Sequence, residues 1–269
     1  MTEARKPRDG GLVVLTGNGP EHRYVANRLC QALPVDAVVA DVAVRQPSLR
    51  RAFRGGTRQG VARLALFAYR KAVRDARARD RALRCVLGND ATASFLVDDR
   101  VICVDGINSA AARAAVAAVH PSVLLVFGTA IVRDEILALA DDMAFNMHTG
   151  LSPHYRGTDC AFWPVVNGEL DWIGATVHEC TSAVDGGQVF ARGRTDCEPG
   201  DGVHEVFARA VARGTDLYVD AIRRHLAGDL IGTPQDLVTG TEYRGYMRTL
   251  RPELRARWTL MRLRRQAVG

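Results

Sequence analysis

Asn146 and His148 alternate along the stretch Asn146-Met147-His148, so in an extended segment the carboxamide and the imidazole leave the same face. A carboxylate returns at Asp185, in the turn-forming sequence Asp185-Gly186-Gly187. An amide that can donate to a developing oxyanion, an imidazole that can move a proton and a carboxylate to orient it are what acyl transfer requires. Singly, each residue has a plainer reading: His148 as a structural histidine, Asn146 and Asp185 as turn formers. His154, His178 and His204 have no spacing that builds a metal site, so no metal is expected.

The elements that would position these groups read as an open α/β sheet. Residues 11–16 form a short apolar run ending in Gly17-Asn18-Gly19-Pro20, and Tyr24, Val25, Leu29 and Leu33 follow at helical spacing. A second apolar run at 35–42 completes a β-loop-α-β opening. The sheet resumes at 101–104, and Ser109 can cap an Ala-rich helix that runs to about His120. Residues 123–127 are wholly apolar, as in a central parallel strand. Gly128-Thr129 leads into an expected helix over 131–140, with the next strand at 144–147. Ligands of such sheets bind where strands end, and both Gly128 and His148 stand there. Further on, 163–168 reads as a helix with its cap, 175–178 and 188–190 as strands flanking Asp185, and 203–226 as a long amphipathic helix. The expected class is therefore α/β: an open Rossmann-like, mostly parallel twisted sheet with helices on both faces, a basic helical insertion at 45–84 and a short C-terminal tail. Residues 1–232 would form the catalytic domain and 233–269 a basic extension with a helix at 255–265.

The hydrophobic and charged fractions, 47% and 25% of 269 residues, are those of ordinary globular proteins. No apolar run approaches the roughly 18 residues of a membrane span, and residues 1–10 lack the apolar core of a secretory signal. The six cysteines (Cys30, Cys85, Cys103, Cys160, Cys180 and Cys197) are scattered without a Cys-x-x-Cys pair, which points to reduced thiols and a cytoplasmic address. The net charge of +6 is uneven. Arg and Lys crowd between Arg45 and Arg84 against only Asp75 and Asp80, and again between Arg244 and Arg265. In the segment 48–83 they share amphipathic helices with Phe53, Val61, Leu64, Leu66 and Phe67. Such faces suit nucleic acid, an anionic membrane surface or a phosphorylated substrate, or are simply solvated.

The order Asn146-x-His148, then Leu151, Pro153, Tyr155-Arg156-Gly157, then Asp185-x-Gly187 resembles the formyltransferase family that uses 10-formyltetrahydrofolate, which includes glycinamide ribonucleotide, methionyl-tRNA and sugar N-formyltransferases. The likeness is strongest over 123–189. It departs at Thr149-Gly150, where better-known members have Pro-Ser or Gly-Ser. The resemblance implies that an acceptor amine attacks the formyl carbon carried by the folate. Asn146 and His148 would stabilise the developing oxyanion, and Asp185 would favour the charged imidazole and orient a proton-carrying water. The folate would lie against Phe127, Gly128, Thr129, Ala130 and Ile131 and the loop with Thr181, Val184 and Asp185. Asn18, Tyr155 and Arg156 would face the acceptor, although Arg156 could instead brace its loop.

The resemblance also narrows the acceptor. Where the glycinamide ribonucleotide enzyme cradles a phosphate with Gly-Ser-Asn, this chain has Gly19-Pro20-Glu21, which removes a donor and adds negative charge. The residues after Gly232 are too few for the tRNA-gripping β-barrel of the methionyl-tRNA enzyme, so tRNA is set aside. An amine of a small metabolite, first an amino sugar or natural-product intermediate, is the expected acceptor. A 10-formyltetrahydrofolate hydrolase and a catalytically silent RNA- or membrane-associated protein are the alternatives. A homo-oligomer stays open.

Overall fold

The computed structural model describes residues 10–43, 56–181 and 184–267. In chain order its elements are β1 (Gly11–Gly17), α1 (Pro20–Ala32), β2 (Val35–Asp41), α2 (Thr57–Ala72), α3 (Asp75–Leu87), α4 (Asn89–Ala93), β3 (Val101–Val104), α5 (Ala110–Val119), β4 (Pro121–Phe127), α6 (Asp134–Leu137), β5 (Met143–His148), β6 (Tyr155–Gly157), α7 (Trp163–Asn167), β7 (Gly174–Glu179), β8 (Val189–Arg194), α8 (Val203–Ala227), β9 (Thr241–Tyr243) and α9 (Leu250–Gln266).

Strand periodicity divides the core in two. Leu12, Val14, Val123 and Leu125 join Val25 and Leu29 of α1, Leu83 of α3 and Val211 and Tyr218 of α8 on one face. Val13, Leu15, Leu124 and Val126 meet Val116 of α5 and Ile136 of α6 on the other. Each of these fully buried aliphatic side chains contributes about 1.5–3 kcal/mol. The sheet order is β3-β2-β1-β4-β5-β7-β8. The first five strands are parallel, and β7 and β8 add antiparallel strands beyond β5. This is the expected mostly parallel α/β sheet with helices on both faces. The order reverses between β1 and β4, so a crevice opens beyond their carboxyl ends. Tyr218, buried on α8, donates its hydroxyl to the Phe145 carbonyl at 2.9 Å and ties that helix to β5.

One expectation needs correction. The helix expected at 131–140 is only α6, because Asn108 holds 131–133 extended: its Nδ2 donates to the Ile131 carbonyl (2.9 Å) and its Oδ1 accepts from Arg133 N (2.8 Å). The basic insertion appears as α2 and α3, while its part at 45–55, with Phe53, lies outside the described residues. The extension 233–269 is bound into the fold. β9 pairs in parallel with β6, and α9 sets Ala256 and Leu260 into a third core cluster with Phe162, Trp163 and Val206. Tyr243 stacks between Tyr155 (centroids 5.5 Å apart) and Trp163 (4.5 Å).

Candidate active site

Beyond the ends of β4 and β5 lies a cavity of about 720 Å³ lined by 126–132, Asn146, His148, His178, Thr181, Val184 and Asp185. Its far wall is Thr158 and Asp159 together with Glu242, Tyr243 and Arg244 from the tail. A volume of this size suits a small-molecule site.

The cavity floor is built by strand pairing. In the antiparallel register of β5 and β7, Asn146 stands opposite His178, and Asn146 Nδ2 lies 3.0 Å from His178 Nε2. His148 is set by the next loop. Its Nε2 meets the Tyr155 carbonyl at 3.1 Å, while Thr176 of β7 pins that loop through Gly150 O (2.7 Å) and Ser152 N (3.1 Å). Any side chain at position 150 would run into His148 Nε2 and Cys160 Cβ, both 2.5 Å from an ideal Cβ. Gly150 thus gives the imidazole its room.

Asp185 sits between two imidazoles. Its Oδ2 is 3.5 Å from His148 Nδ1, and its Oδ1 is 3.3 Å from His178 Nε2. Gly157 N also donates to Oδ2, at 2.7 Å. Asp185 reaches this position in the left-handed region, at φ 48°, where Gly would be the usual residue. Its carbonyl is held there by Ser152 Oγ (3.1 Å) and Gln235 Nε2 (3.0 Å), the latter from the tail. Burial pushes the carboxyl pKa up. The His148 charge, the His178 hydrogen bond and charge, and the Gly157 N–H outweigh it, and hold the group well below the usual carboxylate range. Burial lowers the His148 pKa below its ordinary value, opposed by Asp185 and reinforced by His178.

Proton positions follow from these contacts. His148 Nε2–H donates to Tyr155 O, so a proton gained at Nδ1 would point at Asp185. His178 Nδ1–H donates to the Glu179 carbonyl at 2.7 Å, leaving Nε2 to face both Asn146 and Asp185. One Asn146 N–H can then donate to His178 Nε2 and leave its second N–H for the cavity. The arrangement can therefore present an amide donor to a developing oxyanion and store a transferred proton beside a carboxylate.

The other expected positions divide. Phe127, Gly128, Thr129, Ala130, Ile131, Thr181 and Val184 all line the cavity. Gly128 has φ 66°, and a Cβ there would overlap the His22 ring, which meets the Gly128 carbonyl through Nε2 at 3.1 Å. Asn18, Tyr155 and Arg156 do not line the cavity. Asn18 accepts from Arg23 Nε at 3.0 Å. Tyr155 is buried, with its hydroxyl on Glu169. Arg156 donates to the Leu237 carbonyl at 3.1 Å, which is the bracing role. Sequence reasoning missed His178, because the register that brings it opposite Asn146 is not written locally in the chain. It also missed Gln235, Glu242, Tyr243 and Arg244, whose strand β9 is only three residues long. Among the described residues no His, Cys, Asp and Glu cluster could hold a metal ion.

Residues 104–222, from the end of β3 into α8, match the formyl transferase family. A methionyl-tRNA formyltransferase of Chlorobium chlorochromatii (strain CaD3) is 32% identical over 133 residues, which are 49% of this chain but only 42% of that protein. A sugar N-formyltransferase from Shewanella superimposes with a TM-score of 0.55 at 14% identity, covering 91% of this chain and 87% of its own. An N-formyltransferase from Helicobacter canadensis, in complex with folinic acid and dTDP-3-aminofucose, does so with a TM-score of 0.54 at 13% identity, covering 93% and 80%. The matched segment, less than half of the chain, contains Phe127 to Ile131, Asn146, His148, His178 and Asp185, and over it this chain is similar to the formyl transferase family.

Proposed function

We propose that the protein is an N-formyltransferase that moves a formyl group from 10-formyltetrahydrofolate to an amine of a small metabolite, an amino sugar first. The observation that carries this reading is the convergence of Asn146, His148 and Asp185 on the floor of one cavity within the family segment. The folate would supply the activated formyl carbon, and the wall from Phe127 to Ile131 with Thr181 and Val184 would hold it. As an acceptor amine attacks that carbon, the C–N10 bond breaks, the amine loses a proton and N10 gains one. Asn146 would donate to the formyl oxygen as charge develops there, an interaction whose loss typically costs about 3–4 kcal/mol. His148 would hold the migrating proton against Asp185.

The acceptor would enter past Asp159, Glu242, Tyr243 and Arg244. An amino sugar is favoured by the ligand of the Helicobacter structure and by the start of α1. That helix end has no free nest for a phosphate. Gly19 N donates to His22 Nδ1 at 3.0 Å, Pro20 has no N–H, and the buried Glu21 is neutralised by Arg79 at 2.5 Å. Its likeness to methionyl-tRNA formyltransferases, of which it spans less than half, puts methionyl-tRNA in the test as a further acceptor.

The test is incubation with 10-formyltetrahydrofolate and a panel of amino sugars, nucleotide-linked amino sugars, amino acids and methionyl-tRNA. Tetrahydrofolate release and acceptor mass are followed together. Release coupled to one formylated acceptor is the expected result. Release without any formylated acceptor would make the protein a hydrolase, and neither release nor folate binding would refute the reading.

A further inference from the structure

The two basic helices at the tail and the insertion leave apolar side chains in water. α9 buries Glu253, Ala256 and Leu260 and turns Leu254, Trp258 and Met261 outward at i, i+4 and i+7; Trp258 is 54% exposed. Helical spacing places Arg251, Arg255, Arg262 and Arg265 around that stripe, with the Arg262 guanidinium 4.7 Å from the Trp258 ring centroid. Among the described residues none of these four arginines forms an ion pair. The one acid of the helix, Glu253, is turned inward to Arg70 and Arg248.

Its neighbour repeats the pattern. α2 contacts α9 through Arg70 with Glu253 and through Tyr69, whose hydroxyl accepts from Arg257 Nη1 at 3.0 Å. On the opposite side of α2, Val61, Leu64 and Phe67 are exposed, Phe67 at 59%, beside Lys71 and Arg74.

We propose that the outward face of α9 docks on an anionic lipid surface. Trp and aliphatic side chains sink into the headgroup boundary, while arginines around them reach lipid phosphates with their stems still buried. A second copy of the chain would bring the same arginines against one another. A nucleic acid would take the arginines but gain nothing from Leu254 or Met261. Each Lys or Arg at an anionic surface strengthens binding roughly fivefold, so three of them amount to about a hundredfold.

Co-sedimentation of the full chain with phosphatidylcholine vesicles, with and without phosphatidylglycerol, tests this. The expected result is binding only to the anionic vesicles, weakened by salt. It should fall about a hundredfold in the Arg251→Gln/Arg255→Gln/Arg262→Gln variant. Trp258→Ser/Met261→Ser, which keeps every charge, should lose more than tenfold, on the order of the burial of two large apolar groups. Both variants alter exposed side chains and should retain the wild-type melting curve. No binding to anionic vesicles at low salt overturns the proposal. So does a dimer abolished by the Trp258 variant, or RNA binding without vesicle binding.

Discussion

Replacing Asp185 with Asn keeps its size and leaves an oxygen for the Gly157 N–H, but removes the charge between two imidazoles. Full opposite charges 3.5 Å apart, the His148 to Asp185 distance, interact by about 5 kcal/mol at an effective dielectric near 20. That is an upper bound, because the Asn dipole and local relaxation return part of it. An opposite charge this close usually moves a pKa by about 1–3 units. The sign is set by the site. Burial already lowers the His148 pKa, and the Asp185 carboxylate opposes that shift, so its removal lowers the pKa further. Titration of the His148 ring resonances by NMR in wild type and Asp185→Asn reads the change without reference to any activity. We expect the variant value to fall below that of the wild type, because the charge that opposes the effect of burial is gone. Formyl transfer should fall by about 100- to 10,000-fold, the usual loss when a proton-transfer group is disabled. A His148 titration unchanged by the substitution would refute the reasoning, since the two groups would then not be coupled.

Gly150→Ala sets a methyl group against His148 Nε2 and Cys160, and should cost roughly 1–3 kcal/mol in urea unfolding together with activity; full stability with full activity would show that the imidazole can move aside. Gln235→Ala removes the amide that holds the carbonyls of Asp185 and Gly187. It should lower stability by about 1 kcal/mol and speed amide exchange at Gly157, and unchanged exchange would mean that the tail does not hold the Asp185 loop. His22, His148 and His225 all have pKa values lowered first by burial. Between those folded values and the unfolded value near 6.5, the unfolded chain binds more protons, so stability falls as pH drops below about 6.5. The depressed Asp185 adds stability above about pH 3.9 that is lost as pH falls through its lower folded value. Urea unfolding at stepped pH checks this, and stability that rises on acidification from pH 7 would contradict it.

The sheet was legible because its strands are apolar runs with punctuation at their ends. Residues 12–17 and 121–127 are buried along their length and stand out as continuous apolar runs, and Ser109 caps α5 as its sequence implies, accepting from Ala112 N at 3.1 Å. Asn146, His148 and Asp185 were legible because alternation on one strand and a Gly-Gly turn are local signals. His178 was not, since its place depends on the β5–β7 register, a long-range property decided by packing. The late start of the 131–140 helix lay in one distant side chain, Asn108. Tyr155 looked like a substrate contact from its motif. Stacking with Tyr243 and burial with Trp163 turn it into the core instead, and only the pairing of β6 with β9 reveals that.

The most direct test of the account is the rate of 10-formyltetrahydrofolate turnover with an accepted amine, measured in Asn146→Ala and in His148→Ala beside folate binding by titration. The account predicts that turnover falls by two to three orders of magnitude for Asn146→Ala, on the order of one lost oxyanion donor, and by a comparable or larger factor for His148→Ala, with folate affinity nearly unchanged. Turnover that survives both substitutions at the wild-type rate would contradict it and move the chemistry out of this cavity.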